Sequence, residues 1–222
     1  MMMYAKGAFK GQAPTITDWD VPNVRKFNGE VVEGRPTKGY GVSEFNYAGK
    51  LYKPEPWTKE VEAIKEKAEA WAAKIIGRKI KFTFCLCGLY ETGDVAVPHH
   101  SDTVPKLKDH VLGISFGAPR ILEWTNYSAL IKKKTNTSKV HLEGYFLKSE
   151  TRRILLEDGD AYLFDGHSQM KSTHSIPALE GTGKRINLTF KEQKSDTAST
   201  YTSYFRTPRN RQDKYIVRFD RG

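Results

Sequence analysis

The chain has 222 residues, 38% of them hydrophobic and 12% aromatic, and carries a formal net charge of +10. That length supports a real core in a single domain, the aromatic content argues against a disordered chain, and no apolar run approaches the ~20 residues that span a bilayer. The opening Met1-Met2-Met3-Tyr4-Ala5-Lys6 has no apolar signal core, so a monomeric protein inside the cell (cytoplasm or nucleus), not secreted and not bound to a membrane, is expected. Excess positive charge favours a polyanionic partner, because Lys and Arg contacts to phosphates release counterions; many basic proteins nonetheless bind no nucleic acid.

Residues 1–34 carry Gly7, Gly11, Pro14, Pro22 and Gly29 between short β-prone pieces, which predicts turns and a hairpin around Asn28-Gly29. Arg35 to Gly41 is a glycine-rich loop, and Phe45 and Tyr47 share one face of the strand that follows. Two aromatics so placed suit a core stripe or a stacking surface for a flipped base. Thr58 caps a helix whose stripe is Val61, Ile64, Ala68, Trp71 and Ile75, and Gly77 ends it. Its outward face mixes charges of both signs and needs no partner beyond water.

After Gly77 the period changes to two. Strands are expected at 79–90, 95–100, 111–116, 120–124, 139–147, 153–157, 160–165, 172–176, 185–191 and 214–219, separated by turns such as Gly117-Ala118-Pro119 and Asp158-Gly159. Cys85 and Cys87 project from one face of the first of these, too close in sequence for an unstrained mutual disulfide, and read as buried thiols in a reducing compartment. Ten short strands after one helix predict a mainly β protein with a flanking helix, built on a double-layered jelly-roll barrel. Lys132-Lys133-Lys134 lies in a basic loop that suits a solvated tip or a phosphate contact. Residues 193–203 form a Ser/Thr-rich connector before a basic, aromatic segment.

The chemistry is concentrated in Val97-Pro98-His99-His100-Ser101-Asp102. In a strand, residues i and i+2 share a face, so His100 and Asp102 can converge on one ion; His99 has no carboxylate at that spacing. His174 supplies a third ligand, and two histidines with one carboxylate form the facial triad that leaves open positions on non-haem Fe(II). Farther on, Arg185-Ile186-Asn187-Leu188-Thr189-Phe190-Lys191 alternates as a strand with its polar residues on one face. The planar fork of an arginine there matches a carboxylate.

In combination, H-x-D, the distant His and R-x-N-x-T-x-basic resemble the AlkB-like Fe(II)/2-oxoglutarate-dependent dioxygenases, in the branch that repairs or demethylates nucleic acids. The resemblance covers roughly 35–191, leaving 1–34 as an N-terminal extension that contributes to nucleotide recognition and 192–222 as a basic C-terminal extension of the same domain. It implies a double-stranded β-helix, with His100, Asp102 and His174 as iron ligands and catalytic centre. It further implies 2-oxoglutarate held by Tyr90 and Arg185 at its distal carboxylate and by Asn187 and Lys191 near the iron, and O2 as the other cosubstrate. Tyr47 would stack on the base with His100 facing it, and Phe45, Arg35 and Tyr40 would line the substrate side. Three positions depart from the family's pattern: Lys191 stands for an arginine, Gly88 for an asparagine and Val104 for an acidic residue. The implied activity is oxidative demethylation of N-alkylated bases in DNA or RNA, single-stranded or with a flipped base, yielding succinate, carbon dioxide and an aldehyde. Two other readings stay open: an oxygenase that hydroxylates a protein or a small molecule, and a non-catalytic nucleic-acid-binding relative.

Overall fold

The apolar stripe after Thr58 forms α1 (Lys59–Ile76), with the Thr58 hydroxyl accepting the Val61 N–H and the chain turning away at Gly77. Capping at both ends satisfies backbone groups that would otherwise be orphaned, and Val61, Ile64, Ala68 and Ala72 are buried along one face. The computed structural model describes residues 2–22, 24–27, 30–42, 44–47, 50–100, 102, 107–127, 140–145, 148–165, 172–193 and 214–219. At 24–27, 30–33, 45–47, 50–52, 107–109, 127, 140–145, 148–149, 165, 193 and 214–219 it describes the backbone alone.

The strands, in chain order, are β1 (Met2–Ala5), β2 (Val24–Phe27), β3 (Glu30–Glu33), β4 (Thr37–Gly41), β5 (Phe45–Tyr47), β6 (Lys50–Tyr52), β7 (Phe84–Tyr90), β8 (Val97–His100), β9 (Leu107–Gly117), β10 (Arg120–Tyr127), β11 (Val140–Tyr145), β12 (Lys148–Leu156), β13 (Asp160–Asp165), β14 (Ser172–Ile176), β15 (Arg185–Gln193) and β16 (Lys214–Phe219). A major sheet runs β1-β13-β9-β15-β7-β4 and a minor sheet β12-β10-β14-β8, while β2-β3, β5-β6 and β11-β16 pair separately. Mostly antiparallel strands in two sheets with one flanking helix make the jelly-roll that the strand count predicts.

Alternation along β15 divides the interior in two. Leu188 and Phe190, with Cys85, Cys87, Leu112, Ile114 and Phe116 of the neighbouring strands, pack against Val61, Ile64, Ala68 and Ala72 of α1. Burying one phenylalanine such as Phe190 stabilises by roughly 1.5–3 kcal/mol, so this layer anchors the sheet. Arg185, Asn187, Thr189 and Lys191 turn to the opposite face, where Tyr90, Val111, Tyr162 and Phe164 meet Leu122, Trp124 and Ile176 of the minor sheet. The polar half of β15 is thereby held between the two sheets.

Two expectations are corrected. The strand expected from 79 starts at Phe84, because the Phe82 N–H is taken by the Glu69 carboxylate of α1 and that segment follows the helix. The N-terminal stretch is also more integrated than its turn residues suggest. β1 pairs with β13 at the edge of the major sheet, and Phe9 is fully buried in the helix-side core. Buried Asp160 accepts hydrogen bonds from the Tyr4 hydroxyl and from the Gly7 and Glu157 amides, which fastens this segment to β13. Around Asn28-Gly29, which lie outside the described residues, β2 and β3 pair with Phe27 opposite Glu30, the register of the expected hairpin.

Candidate active site

β8 and β14 are neighbours in the minor sheet, and their register sets His100 directly opposite His174, with ring centroids 4.2 Å apart. Asp102 follows two residues after His100 and is buried. Its Oδ1 lies 3.7 Å from His100 Nε2 and its Oδ2 lies 3.7 Å from His174 Nε2. Ligand atoms of the three side chains fall within 4.8 Å of one another, and they form the one such cluster of His, Cys, Asp or Glu among the described residues. The His100 Nδ1–H donates to the Pro98 carbonyl at 2.8 Å, which fixes the tautomer and leaves the Nε2 lone pair for a ligand bond.

Burial controls the protonation of both imidazoles. His174 packs on Phe164 and Trp124, with centroids 4.8 and 6.1 Å away, and desolvation followed by the neighbouring His100 lowers its pKa to about 3. His100 is lowered too, chiefly by burial, against the opposing pull of Asp102. Both rings are therefore neutral, the form that binds a metal. Beside the triad, Lys191 Nζ approaches Asp102 Oδ1 at 3.3 Å from a nearly inaccessible position. His99, one residue from His100, projects to the other face, where Ser175, Thr173 and Glu123 surround it at 3.3–3.4 Å. That alternation separates the two adjacent histidines as their spacing to Asp102 predicts.

Along β15 a second polar group leads away from the triad. Arg185 is fully buried; its Nε donates to Ser115 Oγ and one terminal nitrogen to Asn187 Oδ1, each at 2.7 Å. The other terminal nitrogen, Nη1, is buried with no hydrogen-bond partner among the described residues. Its guanidinium lies 4.6 Å from the ring centroid of Tyr90, its cross-strand neighbour on β7. Tyr162 reaches Asn187 with its hydroxyl at 3.3 Å, over a position where Gly113 of β9 has no side chain; a Cβ there would overlap the ring. A buried guanidinium with an unsatisfied donor and no carboxylate paired with it among the described residues fits an anionic ligand.

A family model described as the 2OG-Fe(II) oxygenase superfamily matches residues 20–191. The chain belongs to the 2OG-Fe(II) oxygenase superfamily. The oxygenase is also similar to a solved structure titled "The structure of OsALKBH1", with a TM-score of 0.57 and 16% identity, covering 86% of this chain and 96% of the other. At that identity the likeness concerns the fold, which is AlkB-like. No curated protein matches the chain.

Membership brings Fe(II), 2-oxoglutarate and O2 as the cofactor set, and the side chains fit it. Two neutral imidazoles and one carboxylate converge as non-haem Fe(II) requires, and the orphaned Nη1 of Arg185 offers a donor to a carboxylate. Bound there, iron(II) and 2-oxoglutarate supply the O2 activation with which this superfamily oxidises C–H bonds. His100, Asp102 and His174 could hold the metal; Lys191 stands beside Asp102, and Arg185, Asn187 and Tyr90 follow on the same face of β15 and β7.

The substrate-side residues are placed less uniformly. Phe45 and Tyr47 lie on β5, paired with β6, where the backbone alone is described. Lys132 to Lys134 and Val104 lie outside the described residues. Tyr40 is corrected: it is buried on the helix-side face of β4 with Cys85 and Cys87, because alternation along β4 turns it away from the inner layer. Arg35 stands against Tyr90, its guanidinium 5.0 Å from the ring centroid. Sequence reasoning missed Arg120, fully buried at the start of β10 and donating to the carbonyls of Pro119, Thr92 and Gly183 and to the Thr182 hydroxyl. It also missed Tyr162; neither residue sits in a pattern that separates it from an ordinary strand residue.

Proposed function

We propose that this oxygenase oxidatively demethylates N-alkylated bases in DNA or RNA, acting on a base that is unpaired or turned out of the stack. The observation that carries the reading is the assembly of H-x-D, the distant His and R-x-N-x-T into one site within an AlkB-like fold, on a chain of net charge +10. In this reading His100, Asp102 and His174 hold iron(II), Arg185 and Tyr90 take the distal carboxylate of 2-oxoglutarate, and Asn187 and Lys191 border its other end. His100 is the more open of the two histidines, its side chain 27% exposed against 7% for His174, which supports approach of the base from the His100 side. Extrusion of a paired base costs a few kcal/mol, so single strands are preferred or tolerated.

The test is release of succinate and formaldehyde from methylated single-stranded oligonucleotides, by wild type and by His174→Ala. Stoichiometric release by wild type and none by the variant is expected. Equal turnover by the variant contradicts the ligand assignment. Turnover stimulated by peptides or metabolites but not by nucleic acid would replace this reading with a protein or small-molecule oxygenase, for which the Val104 departure provides the motive.

A further inference from the structure

We propose that Arg35 is a second guanidinium of the 2-oxoglutarate site, seated in the space that Gly88 leaves by having no side chain, and not a contact for the nucleic acid. Gly88 lies on β7 between Thr37 of β4 and Asn187 of β15 in one cross-strand row, so all three positions face the inner layer. A Cβ at Gly88 would overlap Nε of Arg35, which places the guanidinium directly on the backbone of that row. The same Nε is buried with no hydrogen-bond partner among the described residues. Arg35 and Arg185 both lie close to one ring, with guanidinium carbons 5.0 and 4.6 Å from the Tyr90 centroid, and Arg120 lies at 6.0 Å from it.

Charge and spacing indicate the ligand that these side chains suit. Among the described residues Arg35, Arg120, Arg185 and Lys191 gather positive charge around Tyr90 and Asp102, more than the Asp102 carboxylate can balance, before any metal adds its own. A dianion offsets a large part of that excess. Rows two residues apart on a strand are separated by about 6.6 Å, so the Asn187 row, where Arg35 sits, is one step nearer Lys191 and Asp102 than the Arg185 row. A five-carbon diacid held by Arg185 at its far carboxylate would thus pass Arg35 on its way to the metal ligands. Where an asparagine at position 88 would supply a neutral amide, this chain supplies a cation from the segment before β4.

The inference rests on the superfamily's cosubstrate and is independent of the nucleic-acid reading. Isothermal titration of 2-oxoglutarate into protein loaded with Mn(II), which replaces iron and prevents turnover, reads it directly. Arg35→Ala should weaken binding by about tenfold to hundredfold, the range of a lost charge-assisted contact, with the melting temperature of the ligand-free protein unchanged. Gly88→Asn should displace Arg35 and lose a similar factor, and Arg35→Ala combined with Gly88→Asn should lose no more than Arg35→Ala alone. Unchanged 2-oxoglutarate affinity in Arg35→Ala, with weakened binding of a methylated oligonucleotide in a parallel titration, would return Arg35 to the substrate and overturn the proposal. Additive losses in the double variant would overturn it too, since they would show that residues 35 and 88 do not share one space.

Discussion

Replacing Arg185 by methionine should stabilise the ligand-free protein while abolishing its response to 2-oxoglutarate. Among the described residues the guanidinium, fully buried, has no carboxylate paired with it; it is held by two 2.7 Å bonds to the neutral groups Ser115 and Asn187, with Nη1 left over. Burying a charge without a counter-charge costs several kcal/mol, whereas the two bonds return about 1 kcal/mol each. Methionine fills similar space without charge, so a net gain of about 1–3 kcal/mol follows, which at about 2–4 °C per kcal/mol raises the melting temperature by several degrees. Wild type should in turn gain about 2.7 kcal/mol when 2-oxoglutarate is present at a hundred times its dissociation constant. Arg185→Met should gain nothing. Differential scanning calorimetry of Mn(II)-loaded and metal-free protein, with and without 2-oxoglutarate, gives both numbers. A variant less stable than wild type without ligand would show that the guanidinium is a structural strut, and retained stabilisation by 2-oxoglutarate would remove it from the cosubstrate site.

Three further outcomes are expected. Gly113→Ala should cost about 1–3 kcal/mol in urea unfolding, because the new methyl group meets the Tyr162 ring, and should cost little when Tyr162 is also alanine; a full cost in both backgrounds contradicts the packing described. His174 is neutral when folded, with its pKa pushed down to about 3 by burial first and His100 second, whereas an unfolded imidazole titrates near 6.5. The unfolded chain therefore takes up protons first. Stability of the metal-free protein should be intact above about pH 6.5 and fall progressively toward pH 3, a trend that His174→Gln should reduce and that a flat urea profile from pH 7 to 4 would refute. Tyr47→Ala should weaken binding of methylated single-stranded oligonucleotides about tenfold while Mn(II) and 2-oxoglutarate affinities hold, since a base stacked on an aromatic ring gains about 1–3 kcal/mol; unchanged affinity would place the base elsewhere.

What was legible in the sequence follows from how alternation works. His100 with Asp102, and Arg185 with Asn187 and Lys191, are spaced by two, and that spacing alone puts each set on one face of a strand. Alternation does not say which face of a strand meets the helix and which meets the other sheet. The resemblance implies a substrate-side position for Tyr40, whereas β4 sends it to the helix side with Cys85. The same limit extended the first long strand too far, since Ile80 and Phe82 continue the period although the Glu69 side chain captures the Phe82 amide. Arg120 was invisible because its partners, Thr92, Thr182 and Gly183, lie 28 to 63 residues away and three of its four bonds end on backbone carbonyls. Gly88 stands where the family's pattern has an asparagine, and nothing in the sequence ties it to Arg35, whose Nε lies where a Cβ at position 88 would be. β1 was missed because Met2–Ala5 shows no period; it is a strand because the edge of β13 is available to pair with it.

Anaerobic titration of the metal-free protein with Fe(II) and 2-oxoglutarate, followed by visible absorption, tests the central claim most directly. His100, Asp102 and His174 should bind iron at one equivalent, and 2-oxoglutarate should then produce the charge-transfer band of its iron chelate, which Asp102→Ala and His174→Ala should abolish. Iron binding without that band, or a band that persists in both variants, would contradict the account.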